Sequence, residues 1–149
     1  MFIGIDARVL CRPLRGIGKY LFDLIDHMIK LDPSLRFLLF YEEITGKKNI
    51  PQSSRILEKS FIVRGYRFRT WEQFRLPWEI KKSGISLFHA PANSAPLIQS
   101  CPTVVTLHDT ISFESDFGDN KFYHQTILPL AFKKAKKITL RNAIKSGAV

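Results

Sequence analysis

The chain has 149 residues, of which 45% are hydrophobic and 24% are charged, and its formal net charge is +10. This composition is ordinary for a globular protein, and the length suits one domain with a substantial core. No apolar run approaches the roughly 20 residues of a membrane-spanning helix, and the first residues do not resemble a secretion signal. The positive charge favours an anionic partner, such as a nucleic acid, a membrane surface or an anionic small molecule.

The two cysteines are Cys11 and Cys101, which lie far apart in the sequence. Their separation fits no metal-binding or redox spacing. We therefore expect reduced thiols in a cytoplasmic protein, because disulfides are rare in that compartment.

Short apolar runs alternate with stretches of helical periodicity along the chain. Runs rich in β-branched and aromatic residues predict strands at 2–5, 36–41, 56–57, 61–63, 86–90, 103–109 and 137–140. Apolar residues at helical spacing predict helices at 17–31, 71–82 and 122–137. Because strands alternate with helices, we expect an α/β fold, with a Rossmann-like parallel sheet and helices on both faces.

Local signals predict where these helices begin, end and bend. Pro33 predicts that the first helix ends near Leu31, because a residue before proline avoids the helical conformation. Thr70 is expected to cap the start of the second helix. Pro77 and Pro129 are expected to kink or break the helices that contain them.

The triplet Gly16-Ile17-Gly18 opens the first predicted helix, after the first strand and a loop. Free N–H groups and the helix dipole attract phosphate at such a position, and glycine allows a ligand to approach closely. The dinucleotide fingerprint G-x-G-x-x-G needs glycine where this chain has Leu21, which weighs against a nicotinamide-dependent dehydrogenase. The triplet is therefore either a phosphate-binding loop or simply a flexible helix start.

His108 and Asp109 follow an apolar, β-branched run. In an open parallel sheet, ligands bind outside the carboxyl ends of the strands. An imidazole there can bind a sugar hydroxyl, and Asp109 can orient it or bind a hydroxyl itself. His89 ends the preceding strand and is expected at the same edge. The alternative is a strand end with a satisfied histidine, and no H-x-x-x-H or C-x-x-C pattern predicts a metal site.

Basic residues cluster towards the end of the sequence, with six Lys or Arg and no acidic residue from Lys133 to Lys145. Basic helices interleaved with aromatic residues can lie on an anionic membrane, whereas a solvated charged face is the alternative. Trp71, Phe74 and Trp78 are expected on one side of their helix, facing the core, because a helix that covers a sheet needs an apolar stripe.

Three stretches taken together resemble the N-terminal half of the family 4 glycosyltransferases. They read IGIDARVL with GIGKY at 3–20, WEQ and LP with LFHAP at 71–91, and PTVVTLHD at 102–109. They occur in the order and at the approximate spacing of that family, across about residues 2–140. The subgroup that they resemble most contains the mannosyltransferase-like members that build surface polysaccharides.

The resemblance implies a GT-B architecture, in which two Rossmann-like domains enclose the active site. It implies retaining transfer of a mannose-like hexose from a nucleotide diphosphate sugar to a glycan or lipid-linked acceptor. The nucleotide sugar is then a co-substrate, and neither a metal nor another cofactor is expected. Residues 1–140 correspond to the N-terminal, acceptor-side domain, and 141–149 form a divergent tail.

Carried onto this chain, the resemblance assigns three groups of site residues. The loop that approaches the donor phosphates and the transferred sugar consists of Gly16, Ile17 and Gly18. The catalytic residues, of which the histidine contacts the sugar, are His108 and Asp109. The further residues expected to line the cleft are Asp6, Arg8 and His89.

In that family a C-terminal domain holds the nucleotide, usually through a basic pair and a Glu-x7-Glu element, and these 149 residues contain neither. We therefore expect a truncated or split enzyme that is inactive alone, with a second chain as the source of any donor domain. The expected location is the cytoplasm, with peripheral contact at an anionic inner membrane face. The alternative function is a basic module that binds an anionic membrane or nucleic acid. The sequence contains no nucleic-acid-binding motif, so a nucleic acid is not expected as a partner.

Overall fold

A computed structural model describes residues 1–41, 48–61, 68–108 and 122–140. These residues form an α/β fold around a six-stranded parallel sheet. The strands are β1 (Phe2–Asp6), β2 (Arg36–Tyr41), β3 (Ile56–Ser60), β4 (Leu87–Ala90), β5 (Thr103–Leu107) and β6 (Lys137–Leu140). Their order across the sheet is β3-β2-β1-β4-β5-β6. This is a Rossmann-like, doubly wound order that reverses between β1 and β4, and it confirms the predicted fold class.

Helices cover both faces of the sheet. On one face, α1 (Gly16–Leu31) packs Leu21 and Ile25 into a core with the side chains of β1 and β2. The other face carries two helices, each with a π-helical segment. The first, α2, consists of α-helical Phe68–Thr70, π-helical Trp71–Arg75 and α-helical Leu76–Lys82. The second, α3, consists of π-helical Tyr123–Ile127 and α-helical Leu128–Lys134. Both helices share a second core with β4 and β5. A 3-10 turn, Arg8–Cys11, precedes α1.

The end of α1 is where the sequence predicts it. Asp32, which precedes Pro33, has extended dihedral angles and donates its N–H to the carbonyl of Met28 at 3.1 Å. The proline excludes the helical conformation at Asp32 and supplies no N–H of its own. The helix therefore ends at Leu31.

Pro77 and Pro129 produce the same local structure in α2 and α3. A proline lacks an N–H, and its ring collides with the carbonyl four residues earlier in a helix. In both helices the leucine before the proline bonds to a carbonyl five residues back, at Trp71 or Tyr123. The expected kink therefore takes the form of a π-helical turn.

The π-helical turn overturns the predicted apolar stripe of α2. Trp71 is fully buried, but Phe74 is 74% exposed and Trp78 is 52% exposed. In a π-helical turn the core-facing positions shift by one residue, so that Trp71 and Leu76, five apart, both lie in the core. The expectation that all three aromatic residues face the core is therefore wrong for Phe74 and Trp78.

The boundaries of α2 and α3 also differ from expectation. Thr70 has helical dihedral angles and makes no capping hydrogen bond, because the helix already begins at Phe68. The cap predicted at Thr70 is therefore wrong. The third helix ends at Lys134, and Lys137 already belongs to β6.

The predicted tail, 141–149, lies outside the described residues. Within the described ranges, no helix is long and apolar enough to cross a membrane.

Candidate functional site at the carboxyl edge of the sheet

The carboxyl ends of β1 and β4 lie side by side where the strand order reverses. Ile5 of β1 pairs with His89 of β4, and β5, which ends just before His108, lies next to β4. The structure therefore brings Asp6, His89 and His108 to one edge. In open α/β sheets this position forms the crevice in which ligands bind.

His108 is held by the loop that follows β4. Its backbone N–H donates to Asn93 Oδ1 at 2.6 Å, and its Nε2 lies 2.8 Å from the carbonyl oxygen of Pro91. Because a carbonyl oxygen only accepts, Nε2 carries the proton, and Nδ1 of the neutral ring is an acceptor. The Tyr20 ring contacts the imidazole edge-on, with the ring centroids 5.0 Å apart. The orientation of this half-buried ring is thus fixed.

Asn93 provides the turn that supports His108. It has a φ of +56°, a left-handed conformation that asparagine tolerates better than most residues, and its N–H donates to the carbonyl of Thr106 at 3.2 Å. The loop after β4 is thereby fastened to the end of β5. Sequence reasoning did not single out Asn93, and the available signal was an asparagine in a turn-forming loop at a strand end.

His89 is buried one strand away, with its Nε2 2.9 Å from Thr106 Oγ1. Burial lowers the pKa of His89 to about 4; nearby His108 lowers it as well, and the Asp6 carboxylate opposes the shift. His89 is therefore neutral at pH 7. The Tyr20 hydroxyl lies 3.5 Å from the same Thr106 oxygen, so this polar contact joins β4, β5 and α1.

The glycine triplet starts α1, the helix that also brings Tyr20 to His108. Gly16 has a φ of +47°, which a side chain would strain. A Cβ on Gly18 would lie 3.1 Å from the carbonyl oxygen of Val9, so this glycine lets α1 pack against the preceding turn. Ile17 is half-buried. No described side chain caps the helix. The Gly18 N–H donates to the Arg15 carbonyl at 3.0 Å, so the N–H groups of Gly16 and Ile17 are the ones that suit an anion.

Asp6 and Arg8 lie in a buried ion network on the side covered by α2. The Arg8 guanidinium donates to both Asp6 carboxylate oxygens, at 2.8 and 2.5 Å, and to Glu72 Oε1 at 3.3 Å. It also lies over the Trp71 ring, 4.2 Å from its centroid. Buried charges require such partners. Two of the three residues expected to line the cleft, Asp6 and Arg8, therefore bond to each other and to Glu72.

Glu72 joins a second helix to this network. It is fully buried, and its Oε2 accepts hydrogen bonds from the Tyr123 hydroxyl and, at 3.0 Å, from Gln73 Nε2. Burial and the adjacent Glu72 carboxylate raise the pKa of Tyr123, so its hydroxyl remains a donor. No local signal predicted this burial, because glutamates are usually exposed.

Asp109, the expected partner of His108, lies outside the described residues. In the ranges that are described, no group of three or more His, Cys, Asp and Glu side chains could hold a metal ion. The described site combines an oriented acceptor nitrogen on His108 with an uncapped helix start, which suits an anionic ligand that carries hydroxyl groups. No family model matches this sequence, and no curated protein sequence matches it.

Proposed function

We propose that this chain is the acceptor-side domain of a retaining family 4 glycosyltransferase. It would hold the mannose-like hexose of a nucleotide diphosphate sugar beside a glycan or lipid-linked acceptor. The observation that carries the proposal is the pairing, through Tyr20, of His108 with the start of α1 at the reversal point of the sheet. The sequence resemblance supplies the reaction.

His108 would orient one hydroxyl of the transferred hexose. Because its Nε2 proton is directed to Pro91, Nδ1 can accept a hydrogen bond from that hydroxyl without a change of tautomer. The Pro91 carbonyl and the Tyr20 ring already fix the imidazole, so binding costs little further side-chain entropy.

The start of α1 would face the donor phosphates. A helix N-terminus contributes only about 0.3–1 kcal/mol per anionic charge at an exposed position. Stabilising a departing nucleotide needs far more preorganised charge, which a donor domain would have to supply. We therefore expect the 149 residues to contact the hexose, to leave the nucleoside free, and not to catalyse transfer by themselves.

This half-site can be tested by NMR on the 17.2 kDa chain. Titration with GDP-mannose should shift the imidazole signals of His108 and the amide signals of Gly16 and Gly18. Saturation transfer should reach the hexose protons and not the guanosine protons. His108→Ala should abolish the hexose signal, whereas His27→Ala, a change at an exposed histidine of α1, should preserve it.

Two results would contradict the proposal. Saturation transfer to guanosine without transfer to the hexose would mean that the edge binds the nucleoside. Sugar transfer by the 149-residue chain alone, lost in His108→Ala, would refute the need for a separate donor domain.

A further inference from the structure

An apolar groove lies between the beginnings of α2 and α3, on the face opposite α1. Its volume is about 360 Å³, within the range of about 300–1,000 Å³ that is typical of small-molecule sites. The apolar lining includes Phe74 of α2, Phe122 immediately before α3, and Ile98 from the segment between β4 and β5. These three side chains are exposed, and a contiguous apolar area of this kind often marks a binding site.

Most polar groups of the lining are already bonded within the protein. The Gln73 side chain bonds to Glu72, to the carbonyl of Ala95 and to the N–H of Leu97. The Tyr123 hydroxyl donates to Glu72. A sugar or nucleotide would need several free donors and acceptors, whereas a hydrocarbon chain needs none. The groove therefore suits an apolar chain.

Among the described residues that line the groove, Arg69 alone is charged. Its guanidinium lies over the Tyr123 ring, 5.1 Å from the centroid, and none of the ion pairs among the described residues involves it. A guanidinium binds phosphate or carboxylate through parallel N–H bonds. Thr70, also in the lining, offers a hydroxyl beside it. The groove thus complements a molecule with an anionic head and an apolar tail.

We propose that this groove binds a single anionic amphiphile, with its hydrocarbon chain against Phe74, Ile98 and Phe122 and its head group at Arg69. A concave site takes up an inserted chain, whereas a bilayer surface would touch only its rim. Binding in the groove does not require sugar transfer. Only the identification of the amphiphile as a lipid-linked acceptor would rest on the proposed function.

Calorimetry with dodecyl phosphate below its micelle concentration, without nucleotide sugar, tests the groove. We expect one saturable site, and decyl phosphate should bind roughly tenfold more weakly because two fewer methylenes are buried. Dodecanol, which lacks the charge, should also bind more weakly than dodecyl phosphate. Arg69→Gln should remove that difference, whereas Lys82→Gln, at an exposed position outside the lining, should not.

A matched pair of variants tests where the hydrocarbon chain of the ligand binds. Ile98 and Leu130 are both exposed, and only Ile98 belongs to the lining. Ile98→Glu should weaken dodecyl phosphate binding about tenfold or more, because it sets a carboxylate against the hydrocarbon chain, and Leu130→Glu should not. No saturable binding, or an equal loss in both variants, would overturn the proposal.

Binding to membranes alone would also overturn it. In that case the chain would sediment with phosphatidylglycerol vesicles and would not bind monomeric dodecyl phosphate. Vesicle binding would then be lost in Trp78→Ser and retained in Ile98→Glu, since Trp78 lies outside the lining. None of these results bears on the hexose contacts at His108, so the two proposals can fail separately.

Discussion

The two faces of the sheet differ, at its carboxyl edge, in how fully their polar side chains are bonded within the protein. On the side covered by α2 and α3, Asp6, Arg8 and Glu72 are buried and bond to one another. On the side covered by α1, His108 is half-buried, and its Nδ1 has no partner among the described residues. The first side joins segments of the fold, and the second leaves an oriented group for a ligand.

This contrast shows that a buried charge is a poor marker of the site in this protein. Structural ion networks also bring charged residues together at strand ends. The better criterion is the polar capacity that remains after internal bonds are counted. By that criterion His108 and the start of α1 are stronger candidates than Asp6 and Arg8, although all of them follow from the same sequence resemblance.

The largest expected effect is on the side covered by α2 and α3, in the ion network of Arg8. Arg8→Met keeps most of the side-chain volume but leaves the Asp6 and Glu72 carboxylates buried without their shared cation. The free energy of unfolding should fall by about 3–5 kcal/mol. Urea denaturation measures the loss, and Lys30→Met, which removes an exposed pair with Asp26, should cost less than about 1 kcal/mol. Equal losses in the two variants would contradict a structural role for the network.

An intermediate effect is expected on the side of α1, where His89 makes stability depend on pH. The pKa of His89 is about 4 in the folded chain and about 6.5 when unfolded, so the unfolded state binds more protons between these values. The contribution of neutral His89 to the free energy of unfolding should therefore be complete above pH 6.5. It should decrease by up to about 3 kcal/mol as the pH falls to 4. Denaturation of the wild type and of His89→Gln across this window isolates the effect from that of the carboxylates. Parallel curves would show that His89 is not the cause.

The smallest effect is expected at the start of α1. Gly16→Ala should cost about 1 kcal/mol, because an L-residue is strained at a φ of +47° although no atom obstructs its Cβ. Gly84, with a φ of +63° and equally open space, is the matched control far from the proposed site, and Gly84→Ala should cost a similar amount. Only Gly16→Ala should reduce the hexose contacts in the NMR titration. An equal reduction in both variants would separate the triplet from the ligand.

The sequence by itself determined the parallel sheet, the bounds of β2 and β6, and those of β1, α1 and β4 to within one residue. It was wrong for β3, which is one strand at Ile56–Ser60 rather than the two runs 56–57 and 61–63. The alternation of apolar runs and helical stretches predicted the α/β class, and β2 occupies the predicted residues 36–41. Pro33 determined the end of α1, and Gly16 and Gly18 marked its start. These features follow from rules that act within a few residues, such as the fixed φ of proline and the freedom of glycine.

Only the tertiary structure decided which side chains are buried at the ends of α2 and α3 and which polar groups remain available. A 3.6-residue period grouped Phe74 with Trp71, and the π-helical turn before Pro77 separated them. Arg8 and Glu72, which meet in the core, are 64 positions apart in the sequence. Periodicity reports which residues share a face of one regular element. Strand order and helix placement decide which faces meet. They place Asp6 and Arg8 in an ion network, and they leave His108 Nδ1 without a partner among the described residues.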